Sequence, residues 1–437
     1  MAAGGPFLTA LDSRGAVKGS RDPLGAQSIW VRFGRYAVGN LTTQSTLVRD
    51  FTVLLVGLYL AERVADADGS VQALEVFLRW EQLAAYVRQR KNVRGFRGIE
   101  RARMRLDEQS SGSAKVTLSS APQHQVLGDQ RVYGIWGLYM VASQTSGLVL
   151  DGTHRLSPAG RDLVEAAFVP AMTRGNPNLI KKLVRHLGRI EPWVVYLDGR
   201  DADVETAVAR ILVEKLGRVE TETYRRHLIR GEHRDVTQGR QRELAALLLM
   251  HPGLALEPQA LRALAKEARS ASGRDSSLAH RLERIRACEA LLAPATQLFS
   301  WLLGQGGRKR TEIVKDLDRV MRGGVKAIDP SELEDVKDDF AGAAGGDACE
   351  RWISIGRAFA QGDSGSVVDG LIGHNRDVMR ERNGSSPWIE FAEDKLVVHF
   401  SEEASPLFEK PELPSLWVHP YFIESLQTVV AQIEASA

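Results

Sequence analysis

Apolar residues recur at three- and four-residue steps over most of the chain. Leu47, Phe51, Leu54, Leu55 and Leu58 form one stripe, and Ala73, Phe77, Trp80, Ala84 and Val87 form another. Two amphipathic helices facing one core follow, with Asp66 to Ser70 as the turn between them. From about Pro177 to Gly304 the pattern is almost wholly helical. Val204, Ala207, Val208, Ile211, Leu212 and Leu216 make one stripe, with Asp203 as its N-cap and Gly217 just past its end. Arg242 to Met250 stops at His251-Pro252-Gly253, and Pro258 opens a further helix. Asp275 caps a longer one that carries Leu278, Leu282, Ile285 and Cys288 in register.

Stretches with a period of two are short and few. Lys115 to Leu118 predicts a strand. Leu148 to Leu150 and His154 to Leu156 flank Asp151-Gly152, a strong hairpin signal, and Trp388 to Phe391 and Leu396 to Phe400 flank a second turn, Ala392 to Lys395. Ser157-Pro158 then opens a helix, because proline at the first helical position loses no hydrogen bond. The predicted class is mainly α, with helical domains, an embedded winged-helix-like module and a small C-terminal β-hairpin. In order, the pattern gives a flexible arm over 1–20, an N-terminal helical domain over 21–108 and a winged-helix-like module over 115–175. A helical domain over 177–303, a hinge with one helix over 304–350 and an acidic α+β region over 351–437 follow. Glu108 to Ala114 reads as a linker.

Composition narrows the class. Of 437 residues, 43% are hydrophobic and 26% charged, which excludes collagen-like, coiled-coil and mainly disordered chains. The longest apolar run, Phe51 to Ala61, is about half the length that a bilayer crossing needs. Met1 to Leu11 lacks the charged start of a secretory signal, so a cytoplasmic protein with no membrane partner is expected. The two cysteines, Cys288 and Cys349, are too few for a disulfide framework or a four-ligand zinc site and are expected as buried thiols.

The net charge of +2 hides an uneven distribution. Arg79, Arg88, Arg90, Lys91, Arg94, Arg97, Arg101, Arg103 and Arg105 face only Glu81 and Glu100 within their segment, although Gly95 and Gly98 interrupt the helical register. From Trp388 to Ala437, nine acids stand against two lysines. Lys181, Lys182, Arg185 and Arg189 share one helical face, and Tyr224 to Arg234 forms another cationic segment. Such surfaces contact phosphates without reading sequence, or else are solvated faces with no partner.

One stretch, Gly147 to Val164 (GLVLDGTHRLSPAGRDLV), resembles the wing and following helix of bacterial winged-helix DNA-binding domains. The shared turn is Leu156, Ser157, Pro158, Ala159 and Gly160. The resemblance implies that His154 and Arg155 on the ribbon reach a DNA backbone or minor groove. The preceding segment departs from that pattern, since Trp136, Tyr139 and Met140 look like core residues. A second set, Asp22-Pro23-Leu24-Gly25, Ile29-Trp30, Asn40 to Thr43, Arg49 to Thr52, Trp80 to Leu83 and Pro387-Trp388, is similar to uncharacterised proteins of bacterial anti-phage defence islands. That similarity implies an accessory role beside an ATPase, helicase or nuclease of the same operon.

Enzyme signatures fail on spacing. Gly362-Asp363-Ser364-Gly365-Ser366 echoes a protease nucleophile loop, but a mainly helical chain offers no triad around it. Gly304, Gly306, Gly307, Lys309 and Thr311 lack the spacing of a phosphate-wrapping loop. Asp329, Glu334 and Lys337 miss a nuclease cluster by one residue. No cofactor and no metal site is expected. The residues together predict a non-catalytic accessory subunit that binds DNA phosphates through Arg88, Arg90, Lys91, Arg94, Arg97, Arg101, Arg103, Arg105, Lys181, Lys182 and Arg185, with His154 and Arg155 as the wing contact. The alternative is a protein-docking scaffold without DNA contact.

Overall fold

A computed structural model describes residues 22–67, 71–108, 114–272, 276–321, 330–382, 386–400 and 404–436. The arm over 1–20, Asp275, Asp329, residues 68–70 of the first turn and residues 109–113 of the linker lie outside this set. The structure is mainly helical, as the hydrophobic pattern predicts, with two small antiparallel two-stranded sheets, of which the pattern predicts the C-terminal one; Trp193–Tyr196 of the other lies in the stretch read as helical. It divides into two compact units, each assembled from two separate stretches of sequence: Ala37–Gly253 with Phe422–Ala437, and Met1–Tyr36 with Leu254–Tyr421.

The first of these units is built around the Val48–Ala67 helix, which is buried on all sides along most of its length. A helix apolar all round belongs inside a core rather than on its surface. It packs along the Ala73–Arg90 helix. Gly57 permits the approach: a Cβ there would lie 2.6 Å from the rings of Phe77 and Trp80. The Trp80 indole N–H donates to the Val53 carbonyl at 2.8 Å, which fixes the register of the pair. The C-terminal helix Ile423–Glu434 joins this unit against Arg240–Met250. The Gln432 side chain accepts from Val48 N and donates to the Thr46 carbonyl, while Arg225 forks onto both carboxylate oxygens of Glu434 at 2.7 and 2.5 Å.

Strand β1 (Lys115–Leu118) forms where expected, but it pairs with β2 (Trp193–Tyr196), from Lys115 opposite Tyr196 to Leu118 opposite Trp193. This corrects the picture of a winged-helix sheet. The lone strand is taken by a distant partner, and the ribbon after Gly147 is reduced to one antiparallel bridge, Val149 to Leu156. The helix start after the ribbon is as predicted: the Ser157 hydroxyl accepts from Gly160 N, and Pro158 occupies the first turn. Gly160 has a packing reason, since a Cβ there would lie 2.1 Å from the Leu148 carbonyl. The helix Ala202–Leu212 starts two residues earlier than its stripe suggested. Asp201 is its N-cap residue, and Asp203 lies inside, bonded to Asn176 and Lys182.

The other unit centres on the long Ser277–Leu302 helix, with Ser276 as its N-cap, packed by Pro258–Ser272 and Ala26–Arg35. The 304–350 stretch holds Arg310–Met321 and, beyond the single helix its pattern predicts, Pro330–Asp335 and Lys337–Ala344, where Val336 and Phe340 are buried. Gly346–Gln361 and Ser364–Glu381 pack on each other and carry the expected C-terminal hairpin, β3 (Ile389–Ala392) and β4 (Lys395–Val398). Its turn residues Glu393 and Asp394 both have positive φ, the geometry that matches strand twist in a two-residue hairpin loop. Asp363 caps the Ser364–Glu381 helix by accepting from Ser366 N, which accounts for the protease-like Gly362–Ser366 stretch. Both thiols, Cys288 and Cys349, are free and buried. No described helix is long and apolar enough to cross a membrane.

Candidate nucleic-acid interface

The cations between Arg79 and Arg105 do not form one open face. Arg79 is buried and donates to the Leu187, Arg189 and Ile190 carbonyls, satisfying the end of the Leu179–Leu187 helix; burial lowers its pKa. Arg88 is buried against Asp50 at 2.6 Å. Arg90 and Lys91 converge on Glu205 at 3.1 and 3.0 Å. Arg103 pairs with Glu100 one helical turn away, and Arg97 donates to the Gln44 side chain. Arg105 donates to the Tyr86 hydroxyl at 3.1 Å and to the Gln123 and Gln125 carbonyls at 2.6 and 2.9 Å, holding a loop. Arg94 and Arg101 are exposed and have no ion pair among the described residues. The segment is therefore largely a set of structural clamps, and its helix breaks where Gly95 and Gly98 interrupt the register. Arg79, Arg88, Arg90 and Lys91 hold partners that lie far away in the chain.

The ribbon is fastened along the Ile135–Thr145 helix. His154 stacks on Trp136 with ring centroids 4.5 Å apart and planes 14° from parallel, and Trp136 in turn sets its edge against Phe77 at 5.1 Å. Gln144 donates to the Thr153 carbonyl at 2.7 Å, Asp151 pairs with Arg234, and Glu62 receives both Leu156 N and Arg161. His154 and Arg155 remain exposed on this fixed ribbon. Tyr139 and Met140 are core residues, as the sequence suggests.

Sequence reading passed over Glu81, one of the two acids in the basic segment. Its carboxylate is fully buried and caps the Ile135–Thr145 helix, accepting from Ile135 N at 2.6 Å and from the Gln130 amide at 2.7 Å. Burial pushes its pKa up to about 7 against the pull of those two donors. Only its place in an apolar helical stripe, between Trp80 and Leu83, signalled that it points inward.

The Leu179–Leu187 helix behaves differently. Leu179, Leu183 and Leu187 face the core, while Lys181 and Arg185 stand in solvent without a carboxylate partner among the described residues. Lys182 turns aside to Asp201 and Asp203 at 3.0 and 2.9 Å, so it leaves the face assigned to it. Arg185 and Arg189 border a surface cavity of about 500 Å³ together with Val64, Ile190 and Glu191. Within Tyr224 to Arg234 every cation is engaged: Arg225 with Glu434, Arg226 with Glu232, Arg230 with Glu222 and Glu232, and Arg234 with Asp151, while His227 meets the Ser146 carbonyl. Near the supposed nuclease residues, Glu334 pairs with Arg357 and Lys337 with Glu350.

Among the expected contacts that the structure describes, free cations reach solvent on the outer face of Leu179–Leu187 with Arg189, at Arg155 beside the stacked His154 and Trp136, and at Arg94 and Arg101. In comparisons with protein families, with characterised proteins and with solved structures, nothing matches this chain.

Proposed function

We propose that the protein is a non-catalytic nucleic-acid-binding accessory subunit. The observation that carries the reading is that Lys181 and Arg185 project from an amphipathic helix with no carboxylate to neutralise them, while the neighbouring Lys182 holds two. Exposed cations with no carboxylate partner on one helix face suit phosphodiester oxygens, which they position without base readout. Arg155, next to an exposed imidazole lying flat on an indole, supplies a second contact in which an aromatic face can take a base. The similarity of its N-terminal motifs to defence-island proteins supports a place beside an ATPase, helicase or nuclease in a bacterial defence-type system.

The test is DNA binding across a salt series from about 50 to about 200 mM, where affinity falls linearly on logarithmic axes if phosphates are neutralised. The Lys181→Ala/Arg185→Ala variant is expected to lower the slope by about two. A wild-type affinity that does not change with salt removes the reading.

One observation favours the docking scaffold. Val132, Tyr133 and Val141 are 49%, 49% and 52% exposed along the Gln130–Tyr133 and Ile135–Thr145 helices, an apolar strip of the kind that partners cover. A stable complex that survives nuclease treatment and is lost in Tyr133→Asp would favour that alternative.

A further inference from the structure

A cavity of about 630 Å³, a volume in the range of small-molecule sites, opens beside the start of the Ser277–Leu302 helix. Its lining residues all belong to the unit built from Met1–Tyr36 and Leu254–Tyr421. That lining is rich in cations. Arg281 and Arg284 enter from the Ser277–Leu302 helix and Arg269 from the last turn of Pro258–Ser272, while Ser277 and His280 stand exposed beside them. Among the described lining residues Asp339 is the one carboxylate. Gly273, Arg274 and Asp275, which precede Ser276 in sequence, carry one charge of each sign and leave this excess as it is.

Convergent cations repel. Arg281 and Arg284 are three residues apart and share a helix face, where like charges are unfavourable neighbours. The acids nearby are divided among several donors. Glu283 pairs with Arg286 at 2.8 Å and reaches Arg269 only at 3.5 Å, and Asp339 pairs with Arg284 at 2.5 Å while accepting from the Tyr36 hydroxyl at 3.3 Å. Arg281 is aimed by the Tyr36 carbonyl, to which Nη1 donates at 2.5 Å. Contacts of this kind orient a guanidinium without exhausting its five donors. The Arg269 and Arg284 side chains remain 44% and 30% exposed, so a ligand in the cavity can reach them.

The shape of the anion follows from the directions of approach. A carboxylate offers two oxygens in one plane and suits a single fork, whereas a tetrahedral phosphoryl group offers oxygens to forks that arrive from two helices. A single phosphate ion would leave most of this volume unfilled. We infer that the cavity binds a small phosphorylated polyanion, a free diphosphate or its nucleoside ester, with Arg269, Arg281 and Arg284 donating to the phosphoryl oxygens and Ser277 and His280 adding polar contacts. The inference does not depend on the nucleic-acid reading, whose cations belong to the other unit.

The experiment titrates the full chain by calorimetry with pyrophosphate, adenosine diphosphate, inorganic phosphate and citrate. Saturable binding of pyrophosphate or adenosine diphosphate with a Kd below about 1 mM is expected, with phosphate and citrate weaker by about tenfold or more. Equal affinity for the first two assigns the free diphosphate, and tighter binding of the second assigns the nucleoside ester. Arg269→Ala is expected to weaken binding about tenfold. Arg269→Lys keeps the charge beside Glu283 and removes the fork; it is expected to weaken binding about fivefold, and it carries the test if Arg269→Ala lowers the unfolding midpoint. Absence of saturable binding by both diphosphates, citrate binding as tightly as pyrophosphate, unchanged affinity in a folded Arg269 variant, or loss of binding in Lys181→Ala/Arg185→Ala overturns the inference.

Discussion

Arg88 Nη1 sits 2.6 Å from Asp50 Oδ1, and both side chains are sealed from solvent at 3% and 1% exposure. The pair joins the two central helices of its unit, and part of each group is left without a further partner. Removing one member strands a buried charge, which costs about 3–5 kcal/mol, whereas replacing both by apolar residues of similar size is close to neutral. Arg88→Ala is therefore expected to lower unfolding stability by that amount, and Asp50→Leu/Arg88→Met to recover most of it. Chemical denaturation of the three proteins measures this. A mild Arg88→Ala with weakened DNA affinity would instead return Arg88 to the interface.

Glu81 sets a pH dependence. Its pKa is about 7 in the fold and about 4.5 when exposed, so the native state binds the extra proton between those values. Stability contributed by the protonated form is complete below about pH 4.5 and declines as pH rises through about 7, by up to about 3 kcal/mol. Urea unfolding from pH 5 to pH 8 should show this decline, and Glu81→Gln should flatten it. A wild-type profile that rises across the window would contradict the assignment.

His374 works in the opposite direction. Buried in the other unit, it accepts from Arg351 on Nδ1 and meets the Leu24 carbonyl through Nε2, and burial lowers its pKa to about 4. The neutral ring is what the fold holds, so its contribution is complete above about pH 6.5 and is lost as pH falls toward 4. A His374→Gln variant should have lower stability at neutral pH and a shallower acid loss than wild type. Native-state hydrogen exchange of each unit against pH separates this effect from that of Glu81.

Lys182 and Lys181 are neighbours in sequence with different fates. Lys182→Ala leaves Asp201 and Asp203 without their cation and is expected to reduce stability by about 1 kcal/mol, the pair being partly exposed, while the salt slope of DNA binding stays unchanged. Lys181→Ala should lower the slope by about one and leave the unfolding midpoint alone. Anisotropy and thermal unfolding on the same samples decide it. An equal loss of slope in both variants would count against the division.

Elements governed by local chemistry were legible in the chain. The stripes of Phe51 and Phe77 give their helices, Ser157-Pro158 marks a helix start, and the hairpin near Trp388 follows from its alternation. What local pattern hides is pairing at a distance. Nothing near Lys115 points to Tyr196, nothing near Lys91 points to Glu205, and the alignment of Glu289 behind His419 requires a fold to bring them together. For the same reason the arginine run misleads: counting cations cannot reveal which carbonyls and carboxylates will absorb them. Free charge is a property of the folded surface, and only Lys181, Arg185, Arg155, Arg94 and Arg101 of the expected contacts retain it.

The Ile423–Glu434 helix completes a unit whose other residues end at Gly253, and the residues between them belong to the other unit. During translation, Thr46, Val48 and Arg225 must wait for Gln432 and Glu434 until the intervening Leu254–Tyr421 stretch has been made. Nascent chains stalled on the ribosome before that helix emerges would leave a groove beside Arg240–Met250 open to chaperones.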